Sequence, residues 1–162
     1  MPVPSAFGST FSARQTAFDA TYNAGTVDLG TSGGVYVHGW VFTTGSGNAT
    51  TNADAGTSRP GPVTVGGVAL TVSTPQDRNT VFGAGSAGWV SEVFGFVPSL
   101  TGVQAVVANK VTATGAASAN GLIRLDLQVY TNVNAVPVKN AVALTTATAG
   151  AITTAFSSAV DR

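Results

Sequence analysis

Residues 35–42 alternate along the chain. Val35, Val37 and Val41 fall on one side of an extended backbone, and Tyr36, His38, Trp40 and Phe42 fall on the other. Both sides are apolar, which predicts a strand covered on both faces. Residues 122–130 alternate more cleanly: Ile123, Leu125, Leu127 and Val129 face a core, while Arg124, Asp126 and Gln128 face water. Residues 89–97, WVSEVFGFV, form a third strong strand that stops at Pro98. Val90, Glu92, Phe94 and Phe96 share one of its faces; Trp89, Ser91, Val93 and Val97 share the other. In VTVGGVALTV, residues 63–72, β-branched residues flank Gly66-Gly67, which predicts two short strands about a tight turn. Shorter strands are expected over 26–29, 80–82, 136–138, 141–144 and 150–156. Residues 103–107 and 110–114 read as two strands or as one with a bulge. Small-residue turns lie at 31–34, 83–88 and 115–121. Residues 43–62 form a long polar loop with no periodicity, the kind that is functional or disordered. Residues 73–79 make a second polar connection, with Pro75 breaking any pairing.

Eight or more short strands with no convincing long helix predict an all-β chain. The expected architecture is an antiparallel β-sandwich, jelly-roll-like rather than immunoglobulin-like, because the count exceeds about seven strands. Pro2 and Pro4 make the start of the chain extended. The expected division is an N-terminal extended arm over residues 1–25 and a β-sandwich domain over 26–162. Phe7, Phe11 and Phe18 have two readings: they cap the domain's own core, or they dock on a neighbouring subunit as interface residues. Residues 1–11 are long enough for the second, since ten extended residues reach about 33 Å. No period of 20–50 residues repeats, which excludes a solenoid or propeller.

Composition changes this picture in one respect. Charged residues are only 9% of the chain and hydrophobic ones 44%, against about a quarter charged in an ordinary globular domain. Such a surface is expected to be covered by assembly, as a homo-oligomer with a trimer favoured. Lys110 and Lys139, the only lysines, are the residues available to guard sheet edges against unwanted pairing. The formal net charge is zero, so no basic patch argues for nucleic acid. The absence of cysteine excludes disulfides and thiolate metal sites. No apolar run approaches about 18 residues, so no membrane span is expected. The start of the chain shows no leader pattern.

Candidate chemistry is thin. His38 lies mid-strand, and a catalytic triad would need it beside a serine and an acid. Gly45-Ser46-Gly47 lies in a polar loop and lacks the strand-to-helix context of a nucleophile elbow. Glu92 and Asp126 are the carboxylates on well-defined strands. Asp126 shares its face with Arg124, which predicts a surface ion pair, and Glu92 is expected to be half-buried and paired to an arginine. Asn48, Asn52 and Asp54 lack the spacing of a calcium loop. The glycine-rich stretches lack the ending of a phosphate loop. No catalytic residue, metal or cofactor is therefore expected. The aromatic residues have two readings. Tyr36, Trp40, Trp89, Phe94 and Phe96 fill a core or subunit interface, or Tyr36, Trp40 and Trp89 form a platform that stacks on sugar rings.

At residues 63–72 the sequence resembles β-sandwich domains of bacteriophage structural proteins and bacterial surface proteins. The shared motif is V-x-x-GG-x-x-L, here Val63 to Leu70, preceded by a hydrophobic strand (34–42) and followed by an aromatic-bearing one (89–97). The resemblance covers roughly residues 26–130. It implies a non-enzymatic virion protein, of the minor tail or head-decoration type, made in the host cytoplasm and partnered by other virion proteins. A host cell-surface glycan is a further partner it leaves open. It carries no catalytic residue.

Overall fold

The computed structural model of the chain describes residues 9–30, 34–44, 58–77, 88–97 and 100–131. Among these residues the regular structure is all strand: β1 (Thr10–Arg14), β2 (Thr21–Asp28), β3 (Val35–Thr44), β4 (Arg59–Val65), β5 (Val68–Ala69), β6 (Thr71–Val72), β7 (Gln76–Asp77), β8 (Gly88–Val97), β9 (Val103–Val111) and β10 (Ile123–Tyr130). Two antiparallel sheets pack against each other as a β-sandwich. One runs β1-β10-β3-β8-β6, with β7 also paired to β8, and the other runs β2-β9-β4-β5.

The pairing is nested. β1 pairs with β10, β2 with β9, β3 with β8, and β4 with β5. Successive pairs fall alternately into the first sheet and the second. Among the described residues the strands from β1 to β10 thus form one long hairpin rolled around a core, the jelly-roll arrangement. Two further pairings, β10 with β3 and β4 with β9, close the roll. At its tip, Gly66 and Gly67 have φ of 55° and 78°, and Val65 pairs with Val68. Positive φ at both central residues is the turn whose twist matches that of a two-residue hairpin, and glycine reaches it without strain.

The expected strands over 35–42, 89–97 and 122–130 are β3, β8 and β10, and each side chain faces as its alternation requires. The two readings of 103–114 resolve into the single strand β9 over Val103–Val111, with a turn after it. The expected arm is different. Over its described part, residues 9–25 belong to the sandwich: β1 is an edge strand of the larger sheet, β2 an edge strand of the smaller. The boundary at residue 25 falls inside β2. Phe11 lies opposite Leu127 and packs against the domain's own core, so it is no arm anchor. Phe18, between β1 and β2, is 56% exposed. Five residues of β1 are too few to show a period, and their partners lie over a hundred positions away. Phe7, the expected strands over 80–82, 136–138, 141–144 and 150–156, Lys139, and loop residues Asn48, Asn52 and Asp54 lie outside the described residues.

The core between the sheets is built mainly from valine. Val35, Val37, Val41, Val63, Val65, Val93, Val97 and Val106 are fully buried, together with Leu29, Ile123 and Leu125. β-Branched side chains suit a pleated surface and lose little rotamer freedom there. One end of the sandwich is closed by polar groups. Thr43 Oγ1 donates to the Ser58 carbonyl. Ser58 Oγ lies 2.7 Å from both Ser118 Oγ and the Asn120 carbonyl oxygen. Lys110 is also here. It sits on β9, an interior strand, is buried, and donates through Nζ to the Gly121 carbonyl. It therefore guards no edge. Burial lowers its pKa below 10.5, with the negative charge of Asp19 opposing the shift.

Two predictions follow from this packing. Leu125→Asp places an unpaired charge between the sheets and abolishes folding, whereas Gln128→Asp on the exposed face of the same strand leaves the melting temperature nearly unchanged. Equal tolerance of the two in thermal denaturation contradicts the facing. Lys110 predicts a pH effect. In the window between its lowered folded pKa and 10.5, the unfolded chain holds a proton that the folded chain has lost, so stability rises with pH. Below that window both states hold it, and the cost of burying the charge is felt in full. Denaturant unfolding of wild type and Lys110→Met, measured as pH approaches 10.5, is expected to show the wild type gaining stability relative to the variant. A constant difference overturns it.

Candidate functional site

The outer face of the six-stranded sheet carries the side chains that β3 does not commit to the core. Register places them in rows across the sheet. Arg124 and Phe42 are opposite one another; then come Ser12, Asp126, Trp40 and Glu92; then Gln128, His38 and Phe94, with Thr10 beside Gln128; then Tyr130, Tyr36 and Phe96. The face is divided lengthwise. β1 and β10 supply mostly hydroxyl, charged and amide groups, with the Tyr130 ring, while β3 and β8 supply mostly rings, with the Glu92 carboxylate.

The expectation that β3 is covered on both faces is corrected here. Its even-numbered side lies on the outside of the sandwich, and Trp40 is 46% exposed. Tyr36 stacks parallel on His38 with centroids 6.5 Å apart, His38 meets Trp40 edge-on at 6.4 Å, and Tyr36 contacts Tyr130 at 6.2 Å. Alternation puts these side chains on one face two residues apart, so the rings form a ladder along the strand.

Hydrogen bonds hold the polar groups in place. His38 Nε2 and Glu92 Oε1 are 2.7 Å apart, so Glu92 is paired with a histidine. Arg124 binds Asp126 through Nε at 2.8 Å and through a second nitrogen at 3.2 Å, the expected surface ion pair. Ser12 Oγ donates to Asp126 Oδ1 at 2.6 Å, and the Tyr130 hydroxyl donates to Gln128 Oε1 at 2.5 Å. Burial raises the pKa of Tyr36, and the charges of Glu92 and Tyr130 add to the shift. Tyr36 is half-buried where Trp40 is exposed, so the ring ladder is drier at the Tyr36 end.

A groove of about 340 Å³ runs along this face. Thr10 and Ser12 stand on one side, His38 and Trp40 on the other, and Asp126, Leu127 and Gln128 lie between. Its floor depends on Gly39. A Cβ there would strike the Asp126 carbonyl oxygen and come within 2.8 Å of Leu127 Cα. The missing side chain lets β3 and β10 lie this close beneath the groove.

Trp89 stands apart from this face. It points to the inner side of β8, where the Arg59 guanidinium lies 4.3 Å from its ring centroid. Tyr36 and Trp40 are brought together on one sheet face, and Trp89 does not join them. The sequence reading missed Thr10, Ser12, Gln128 and Tyr130. Their own segments carry no sign of them; only the register of β10 against β3 and β1 puts them beside Trp40. Among the described residues no three His, Asp or Glu side chains gather as a metal site.

Gly39→Ala is expected to push β10 from β3 and to destabilise the fold by about 1–3 kcal/mol. Denaturant unfolding measures it. An unchanged midpoint contradicts the close approach.

No protein-family model matches the chain, and neither a curated protein nor a solved structure does. A reading of function rests on the topology and on the residues of this face.

Proposed function

We propose that the chain is a non-enzymatic structural protein of a bacteriophage virion, a minor tail or capsid decoration protein, acting by protein–protein assembly. The observation that carries this reading is the nested strand pairing. Rolled jelly-roll sandwiches recur in viral capsid and lectin domains, an analogy of fold that raises the prior and leaves function to be tested. The low charge content supports it, because a surface with 9% charged residues in the whole chain favours burial against other subunits. In this reading the protein is a homo-oligomer, a trimer, with other virion proteins as partners. It is made in the host cytoplasm and carried in the particle. Phe18, exposed between β1 and β2, is the interface residue of choice.

The test is solution mass together with particle incorporation. Light scattering of the full chain is expected to give a trimer, and Phe18→Ser to shift it toward monomer with unchanged circular dichroism. The protein is expected to co-sediment with phage particles at a fixed copy number, high on heads and low at a tail tip. A chain that stays monomeric at high concentration and is absent from particles overturns the proposal.

A further inference from the structure

The geometry points to a saccharide-binding groove on the outer face of the six-stranded sheet, with the Trp40 indole as the stacking surface and Asp126 and Gln128 as the hydroxyl-binding groups. Three observations carry it. First, the groove joins one exposed ring wall, Trp40 with His38, to one hydroxyl wall, Thr10 and Ser12, across a carboxylate and an amide. A pyranose ring has that same split character: an apolar face of C–H groups and a rim of hydroxyls that both donate and accept.

Second, the charges are already balanced. Asp126 is held bidentately by Arg124, and the other groove groups are polar or aromatic. No lysine or arginine is among the residues that line the groove, Arg14 lying beyond them beside Arg124, and a cationic ligand finds a carboxylate already paired. What remains is a neutral polyol. Asp126 accepts from Ser12 and from two nitrogens of Arg124, which leaves about one lone-pair site on Oδ2 to accept from a sugar hydroxyl. Gln128 is oriented through its Oε1 by Tyr130, which turns the amide N–H groups to donate. Third, the groups are pre-set. Ser12, Arg124 and Tyr130 fix the two side chains before any ligand arrives, which lowers the entropy cost of binding. The volume of about 340 Å³ lies at the small end of ligand sites, which suits one or two sugar rings. Beneath the groove the backbone of β3 and β10 is spent in the sheet, so a ligand there is held by side chains.

This site is independent of the assembly reading, and the experiment separates them by reading ligand binding rather than mass. Saturation-transfer NMR is run on the intact chain with a panel of monosaccharides (glucose, galactose, mannose, arabinose, N-acetylglucosamine) to about 100 mM, above any millimolar Kd. Purified bacterial cell-wall polysaccharide is run in a parallel pull-down. Trp40→Ala and Gln128→Ala are expected to weaken binding at least roughly tenfold. Trp40→Tyr is expected to restore part of it, and Trp89→Phe to leave it unchanged. Transfer from monosaccharides places recognition in a single ring, and binding of the polysaccharide alone places it in a longer stretch of glycan; both support the site when they depend on Trp40. Absence of binding in both arms, or binding that survives Trp40→Ala with the fold intact by circular dichroism, overturns it.

Discussion

The constraint on which the structure depends is the strict two-residue period of β3 in the middle of the larger sheet. β3 pairs with β10 on one side and β8 on the other. Its odd positions, Val35, Val37 and Val41, are fully buried and seal the core. Its even positions, Tyr36, His38 and Trp40, form the outer ring ladder. A slip of one residue would exchange the two sets, placing rings between the sheets and valines in water. The cost of that exchange fixes the register, and the register then decides which polar groups of β10 stand beside Trp40.

The division of labour between small and large apolar residues follows from the same geometry. Packed sheets stand about 10 Å apart, a space filled mainly by valine, leucine and isoleucine, with Phe11 and Tyr22 packed against them. The rings of β3 lie on the outside of the sandwich, flanked by the polar groups of β10 and β1. The polar contacts that close the end of the sandwich are kept inside because each has a partner: Thr43 with Ser58, Ser58 with Ser118 and Asn120, Lys110 with Gly121. A buried polar group costs little when it is bonded and much when it is not.

Among the described residues no edge strand carries a lysine. β1 is only five residues long, and β5, β6 and β7 are two each. β2, the longest edge strand, carries an irregularity between Asn23 and Gly25 that breaks its ladder. Short and interrupted edges resist pairing with a further strand, which offsets the scarcity of charge along these edges.

The sequence by itself determined the strands whose signal is local. The alternation in 35–42 and 122–130 and the Gly66-Gly67 pair predict β3, β10 and the tip of the roll, because backbone period and turn conformation are properties of neighbouring residues. Even the facing of Leu125 and Gln128 could be read this way. Tertiary structure alone decided the rest. TFSAR became the edge strand β1, and not an arm, because β10 offered it backbone partners. Lys110 went inside because the Gly121 carbonyl was there to receive it. Trp40 and Tyr36 joined Asp126, Gln128 and Ser12 while Trp89 turned away to Arg59. Each of these depends on which distant strand lies alongside and in what register, and hydrogen bonds between remote segments leave no periodic mark in either one.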